Sequence, residues 1–156
     1  MVADKERQVA VVERLLALGA DVAPRSHDDG RTALQEACWA GKPRTVTLLL
    51  DAGASINARD KLGFTPLIWA AIRGRSGCVR LLLARGGDAL EVDAQTEGDG
   101  MTALHAAVGC MRDKIAQLLL DAGADPTVRD DTGKTPLHRP GRQLWNGRSM
   151  KRSGKH

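Results

Sequence analysis

Short apolar blocks with helical spacing recur along the chain, and each is followed by a second block that ends in three leucines. In one first block, Leu67, Ala70 and Ala71 stand at positions i, i+3 and i+4, which share one face of an α-helix. The second blocks are TVTLLL, CVRLLL and IAQLLL, so the pattern predicts three pairs of short amphipathic helices. The same stripe occurs in two other first blocks, at Leu34, Ala37 and Cys38 and at Leu104, Ala107 and Val108.

Residues that favour helix starts and helix ends stand at the edges of the first blocks. Pro66 and Pro136 lie at the first helical position, where a missing N–H costs nothing. Gly41 and Gly74 stand at the ends, where a left-handed residue is needed, whereas Met111 replaces glycine there and tolerates positive φ poorly. The expected caps, whose hydroxyls accept hydrogen bonds from first-turn amides, are Thr32, Thr65, Thr102 and Thr135.

The paired blocks repeat with a nearly constant period. Glycines 30, 63, 100 and 133 open successive segments, so the spacings are 33, 37 and 33 residues. The segments GRTALQEA, GFTPLIWA, GMTALHAA and GKTPLH align at these glycines. This period with a T-P-L-H-x-A motif resembles the ankyrin repeat family over roughly residues 5–138. The resemblance implies stacked helix pairs whose first helices line a concave side, with β-turn fingers projecting beside them.

We therefore expect an all-α ankyrin repeat solenoid over residues 1–138, followed by a basic, disordered tail at 139–156. The four additional residues of the 37-residue segment fall after its second helix, where we expect them to lengthen one loop. Each repeat buries its apolar face only against neighbours, so we expect lower stability at the truncated C-terminal end. The expected units are a half repeat at 5–29, full repeats at 30–62, 63–99 and 100–132, and a truncated repeat at 133–138.

The segment GFTPLIWAAIRG carries more apolar side chain than one stripe needs. On a helical wheel Ile68, Trp69 and Ile72 form a second apolar face, away from Leu67. The resemblance places that face on the inner surface and residues 62 and 64 on the adjacent finger. Because Trp, Phe, Met and Arg are typical of interface cores, we expect a protein-binding patch. It comprises Arg31, Trp39, Leu62, Phe64, Trp69, Ile72, Arg73 and Met101.

A structural alternative stays open for this patch. Trp69 or Ile68 can instead fill the space between adjacent first helices. Truncation distinguishes the two roles, because a partner-binding tryptophan affects affinity whereas a core tryptophan affects stability.

Charge is unevenly distributed along the chain. The formal net charge is +4, but residues 139–156 hold six Lys or Arg and no Asp or Glu. The repeats are therefore slightly acidic, and a basic face for nucleic acid is not indicated on them. As an alternative function, Arg148, Lys151, Arg152 and Lys155 of the tail could contact nucleic acid or an import receptor.

The sequence offers little for catalysis. Cys38 and Cys78 occupy core positions, and His105 and His138 have the place of the family's turn-stabilising histidine. Gln35 and Ile68 replace that histidine in two repeats, so we expect these to lack its hydrogen bonds. Phosphate-loop and zinc-binding spacings do not occur in the sequence.

We therefore expect a non-catalytic protein with no cofactor, no metal and no membrane span. Its function is protein–protein recognition by a scaffold that uses the concave groove and finger tips. The expected partner is an unidentified protein, and the chain is expected to be a monomer. The cysteine content suggests a reducing, intracellular location in the cytoplasm, the nucleus or both.

Overall fold

The computed structural model describes the backbone of residues 2–138 and the side chains from residue 5 onward. Short 3₁₀ turns occur at Gly87–Ala89 and Pro136–His138. The all-α repeat fold is confirmed. The α-helices of the described residues are α1 (Val2–Ala17), α2 (Ala33–Ala40), α3 (Pro43–Asp51), α4 (Pro66–Ile72), α5 (Ser76–Gly86), α6 (Ala103–Gly109) and α7 (Asp113–Asp121).

The helices form two layers that run the length of the stack. In the first-helix layer, α2 packs on α4, α4 on α6, and α6 on the Pro136–His138 turn. In the second-helix layer, α1 packs on α3, α3 on α5, and α5 on α7. The expected half repeat is thus a second helix, as α1 takes the place before α3. The core lies between the layers, where Leu34, Leu67 and Leu104 are buried.

The three first helices begin as the threonines predict. The hydroxyl oxygens of Thr32, Thr65 and Thr102 accept hydrogen bonds, each 3.3 Å long, from the amides three residues on. This satisfies one of the orphan N–H groups at each helix start. Helix α2 ends at Gly41, whose φ is +74°. The turn after α6 also keeps its left-handed residue, because Met111 adopts a φ of +56° despite its side chain.

The expectation that Gln35 cannot replace the family's histidine is wrong. His105 bonds the Thr102 hydroxyl through Nδ1 at 2.8 Å and the Lys134 carbonyl through Nε2 at 3.0 Å. Gln35 accepts from the Thr32 amide at 2.8 Å and donates to the Phe64 carbonyl at 2.6 Å. The side-chain amide of Gln35 thus joins a helix cap to the next finger, as the imidazole of His105 does.

Adjacent fingers are joined through their backbones. The amide of Lys61 donates to the carbonyl of Asp29, and Glu97 donates to Leu62 at 2.9 Å. Gly63 lies beneath the second of these contacts with a φ of +75°, and a Cβ there would meet the Glu97 nitrogen at 2.7 Å. Glycine is therefore required at this repeat start by both backbone conformation and close approach.

The four additional residues do more than lengthen a loop. Helix α5 spans 11 residues, against 9 in α3 and α7, and the 3₁₀ turn Gly87–Ala89 follows it directly. Leu90 then folds back into the core at 8% exposure. Because the insertion is absorbed by the helix end and this apolar anchor, the next finger keeps its register.

Residue 35 provides a direct test of the link between cap and finger. Gln35→Leu should lower the free energy of unfolding by about 1–3 kcal/mol, because the Thr32 amide and the Phe64 carbonyl lose their buried partners. Gln35→His should lose much less, since His105 makes the corresponding bonds. Urea denaturation measures both variants, and equal losses would contradict this role.

Candidate protein-binding surface

Trp69 lies at the centre of a buried stack. The Phe64 ring stacks on it with centroids 4.6 Å apart, and the Arg31 guanidinium lies 4.0 Å from its ring centroid. Trp69 is 1% exposed and Phe64 3%, so neither is held out to a partner. The sequence expectation is wrong at these two positions, and the structural alternative applies to Trp69, because Phe64 and Arg31 cover its ring.

The buried indole N–H is satisfied by a carboxylate from the finger. Trp69 Nε1 donates to Asp60 Oδ2 at 2.9 Å, and the amides of Leu62 and Phe64 donate to Asp60 Oδ1. Burial raises the pKa of Asp60, although these hydrogen bonds and nearby Arg31 act to lower it. Asp60 therefore fixes the finger turn and the tryptophan orientation together.

Three further predicted binding residues are also buried. Arg31 is 8% exposed and forms ion pairs with Asp29 and Glu36 at 3.0 and 3.1 Å. Ile72 is 8% exposed and Met101 3%, and both belong to the core cluster. These side chains pack between adjacent first helices and fingers, so their expected presentation to a partner is also wrong.

Three predicted residues do lie at the surface. The Arg73 guanidinium is exposed and lies 4.5 Å from the ring centroid of Trp39, which is half-buried. These residues come from the ends of neighbouring first helices, and the Arg75 side chain also donates to the Trp39 carbonyl at 3.2 Å. Leu62 is 38% exposed on its finger. The accessible remainder of the predicted patch is thus a cation–π pair and one finger leucine.

Two acidic side chains beside this surface are not among the predicted binding residues. Asp29 and Glu36 flank Arg31, with side chains 43% and 52% exposed. Burial tends to raise the pKa of Asp29, but hydrogen bonds from Ser26 and the Arg31 amide, together with the Arg31 charge, lower it overall. Their nearness in sequence to Arg31, a predicted binding residue, was the signal that could have identified them. The surface therefore carries both signs of charge.

The nucleophile candidates are unsuited to catalysis. Burial raises the thiol pKa of Cys38, Cys78 and Cys110, so the reactive thiolate is disfavoured at neutral pH. His105 is fully buried with both ring nitrogens hydrogen-bonded. In the part of the chain that the structure describes, His, Cys, Asp and Glu side chains form no cluster that could hold a metal ion.

The described helices are also too short or too polar to cross a lipid bilayer. The tail residues Arg148, Lys151, Arg152 and Lys155 lie outside the described residues.

Comparison with known proteins decides the family. A family model described as "Ankyrin repeats (3 copies)" matches residues 1–96 and 59–130. The chain belongs to the ankyrin repeat family. This agrees with the period, the capping threonines and the two-layer stack of helix pairs.

Several curated proteins resemble this chain. It is 35% identical over 147 residues to the mitochondrial disaggregase of Bos taurus, covering 74% of this chain and 21% of that protein. It is 36% identical over 115 residues to the E3 ubiquitin-protein ligase KEG of Arabidopsis thaliana, covering 71% of this chain and 7% of the ligase. It is 39% identical over 106 residues to the ankyrin repeat and KH domain-containing protein mask of Drosophila melanogaster, covering 68% of this chain and 3% of that protein. The chain thus spans about a fifth or less of these relatives.

Substitution of the two tryptophans separates core from surface. Trp69→Ala should lower the free energy of unfolding by about 3–5 kcal/mol, because it empties a buried site and leaves Asp60 one donor short. Trp39→Ala should cost less than about 2 kcal/mol, since its ring is half in solvent. Chemical denaturation gives both values, and a larger loss for Trp39→Ala would contradict the assignment.

Proposed function

We propose that this ankyrin domain is a non-catalytic scaffold that binds a partner protein through its first-helix face and finger tips. The observation that supports it best is the Trp39–Arg73 pair, accessible at the ends of two neighbouring first helices. Trp and Arg are the side chains that most often dominate binding energy at protein interfaces. Leu62 extends the surface onto the finger.

The scaffold presents this surface in a fixed geometry. Helices α2 and α4, which carry the pair, pack on each other, and the buried stack of Phe64 and Trp69 lies beside them. The ankyrin domain therefore needs little ordering of its own chain when a partner binds. A preorganised surface loses less conformational entropy on association.

The charges favour a partner of mixed polarity. Arg73 can pair with a carboxylate next to an apolar side chain that rests on Trp39, while Asp29 and Glu36 can attract basic residues. Such complementary charges govern specificity and association rate more than affinity.

The state of the described cysteines and of His105 supports a binding role better than catalysis. The thiols have raised pKa values and His105 is sequestered in the core. The two relatives whose names denote enzymes match this chain over only 21% and 7% of their length. We also retain the proposal of an intracellular location, in the cytoplasm or nucleus, because the thiols of Cys38 and Cys78 are free.

Affinity capture with matched double variants tests this function. Trp39→Ala/Arg73→Ala should lose the partners that wild type retains, because it removes both members of the exposed pair. Arg44→Ala/Arg80→Ala removes two exposed charges from the second-helix layer and should retain them. Calorimetry with a recovered partner should show a loss of at least about 2 kcal/mol for the first variant only. Undiminished binding by that variant would contradict the proposed surface.

The basic tail supports the alternative of nucleic-acid or import-receptor binding. Its six Lys or Arg without an acidic residue are the observation in its favour. Binding of this kind should weaken as salt rises and should vanish when residues 139–156 are deleted. Capture that survives the deletion assigns the partner to the repeats.

A further inference from the structure

The turns that join first helices to second helices carry a row of positive charges. These turns are residues 41–42, 73–75 and 110–112. Together they contain four Lys or Arg and no Asp or Glu. The four basic residues are Lys42, Arg73, Arg75 and Arg112. All but Arg73 stand immediately before a second helix, so they occupy the same place in successive repeats. These three residues form a basic row that runs along the stack.

Helix stability does not account for the basic row. The first helices begin at threonines whose hydroxyls accept hydrogen bonds, whereas α3, α5 and α7 each begin after a Lys or Arg that caps no amide. Threonine or aspartate is preferred at such a position, and a cation there opposes the helix dipole. The three charges therefore weaken the helices that follow them.

Neutral groups of the preceding repeat hold the first two side chains of the basic row. The Lys42 ammonium donates to the side-chain oxygen of Gln8 at 2.7 Å. Arg75 passes over Gly41, where an added Cβ would lie 2.6 Å from the arginine Cδ, and its Nε donates to the Trp39 carbonyl at 3.2 Å. These contacts fix the positions of the cations and leave their charges in place.

The third member of the basic row is held in the same way. Arg112 passes over Gly74, where an added Cβ would lie 2.9 Å from the arginine Nε. Exposed Asp113 follows it at the start of α7. Among the described residues, no carboxylate forms an ion pair with any member of the row or with Arg73. The row is thus a fixed array of positive charge without an internal counterion.

The opposite end of the first helices carries negative charge. Fingers precede these helices and the turns follow them, so helices of seven or eight residues separate the two edges by about 11 Å. In one finger, residues 91–99 contain four Asp or Glu and no Lys or Arg. The basic row is therefore narrow and lies close to an acidic edge. This disfavours nucleic acid and anionic membranes, because both present broad negative surfaces.

The spacing of the repeats suits an extended polypeptide. Helix α2 packs on α4 and α4 on α6, and packed helix axes lie about 8–10 Å apart, so successive members of the basic row should have a similar spacing. A polyproline II segment rises about 3.1 Å per residue, which places every third side chain on the same side at intervals of about 9 Å. An acidic residue at every third position would therefore face one cation per repeat.

We infer that the partner protein contributes an extended acidic segment to the basic row, an inference that rests on the proposed binding function and names the chemistry of the partner. An apolar side chain of the segment rests on Trp39, beside a carboxylate that pairs with Arg73. Further carboxylates pair with Lys42, Arg75 and Arg112, and the two arginines can bind a carboxylate through two N–H groups. The recognition surface thus continues from the Trp39–Arg73 pair along the turns.

Fluorescence anisotropy of the full chain with a designed peptide tests this inference. The probe has about 12 residues, with one leucine and a glutamate at every third position, and its twin has glutamine in place of each glutamate. Wild type should bind the glutamate peptide at least about tenfold more tightly than the twin at low salt. Lys42→Gln/Arg112→Gln should weaken that binding at least about fivefold, because two carboxylates lose their partners. Both residues are exposed, so the melting curve should stay near that of wild type.

Two matched variants control for charge and position. Lys42→Arg/Arg112→Lys keeps both charges in the row and should bind the glutamate peptide as wild type does. Arg14→Gln/Arg80→Gln removes two exposed charges from the second-helix layer, outside the turns, and should also bind normally.

Three results would overturn the inference: equal affinity for the two peptides, undiminished binding by Lys42→Gln/Arg112→Gln, or tighter binding of a DNA duplex than of the glutamate peptide. The proposed function fails on a different result, the binding of a recovered partner by Trp39→Ala/Arg73→Ala as tightly as by wild type. The two failures are therefore distinguishable.

Discussion

The structure depends on one constraint: the apolar face of each repeat is closed only by the repeats next to it. The paired helices are only seven to eleven residues long, which is too short for a helix to be stable alone. Burial against neighbouring repeats therefore supplies their stability. Leu67 and Leu104 occupy the same position in adjacent pairs, and both are buried. In the Pro136–His138 turn, which no further helix pair covers among the described residues, the equivalent Leu137 is 84% exposed.

Stacking also decides which side chains remain available for recognition. Phe64 from one finger and Arg31 from the preceding finger lie over Trp69, and the two fingers are joined through their backbones. The most apolar segment of the chain is therefore used to hold repeats together. Trp39 and Arg73 stay accessible because they lie at the ends of first helices, beyond the cover of the fingers. The proposed binding surface is thus what the stacking leaves uncovered.

Much of the fold could be predicted because its determinants are local. A threonine three residues before a first-turn amide, or a glycine at a helix end, acts within a few positions of itself, and Thr65 and Gly41 behave as expected. The period of 33 residues then fixes the stacking order.

The site was harder to predict because its determinants are distant in sequence. A helical wheel places Trp69 on an outer face, but it does not contain Asp60, nine residues upstream, which accepts the indole N–H. Gln35 was misjudged for a similar reason: its second partner is the Phe64 carbonyl, 29 residues away. The residue types indicated which contacts are possible, but which of them form depends on how the repeats pack on one another.

Native-state hydrogen exchange tests the central claim most directly. Helix α3 lies between α1 and α5, whereas α7 is covered by α5 alone among the described second helices. In dilute solution, the amides of residues 115–120 should exchange at a lower opening free energy than those of residues 46–50. Equal protection of the two helices would contradict the view that neighbouring repeats supply the stability.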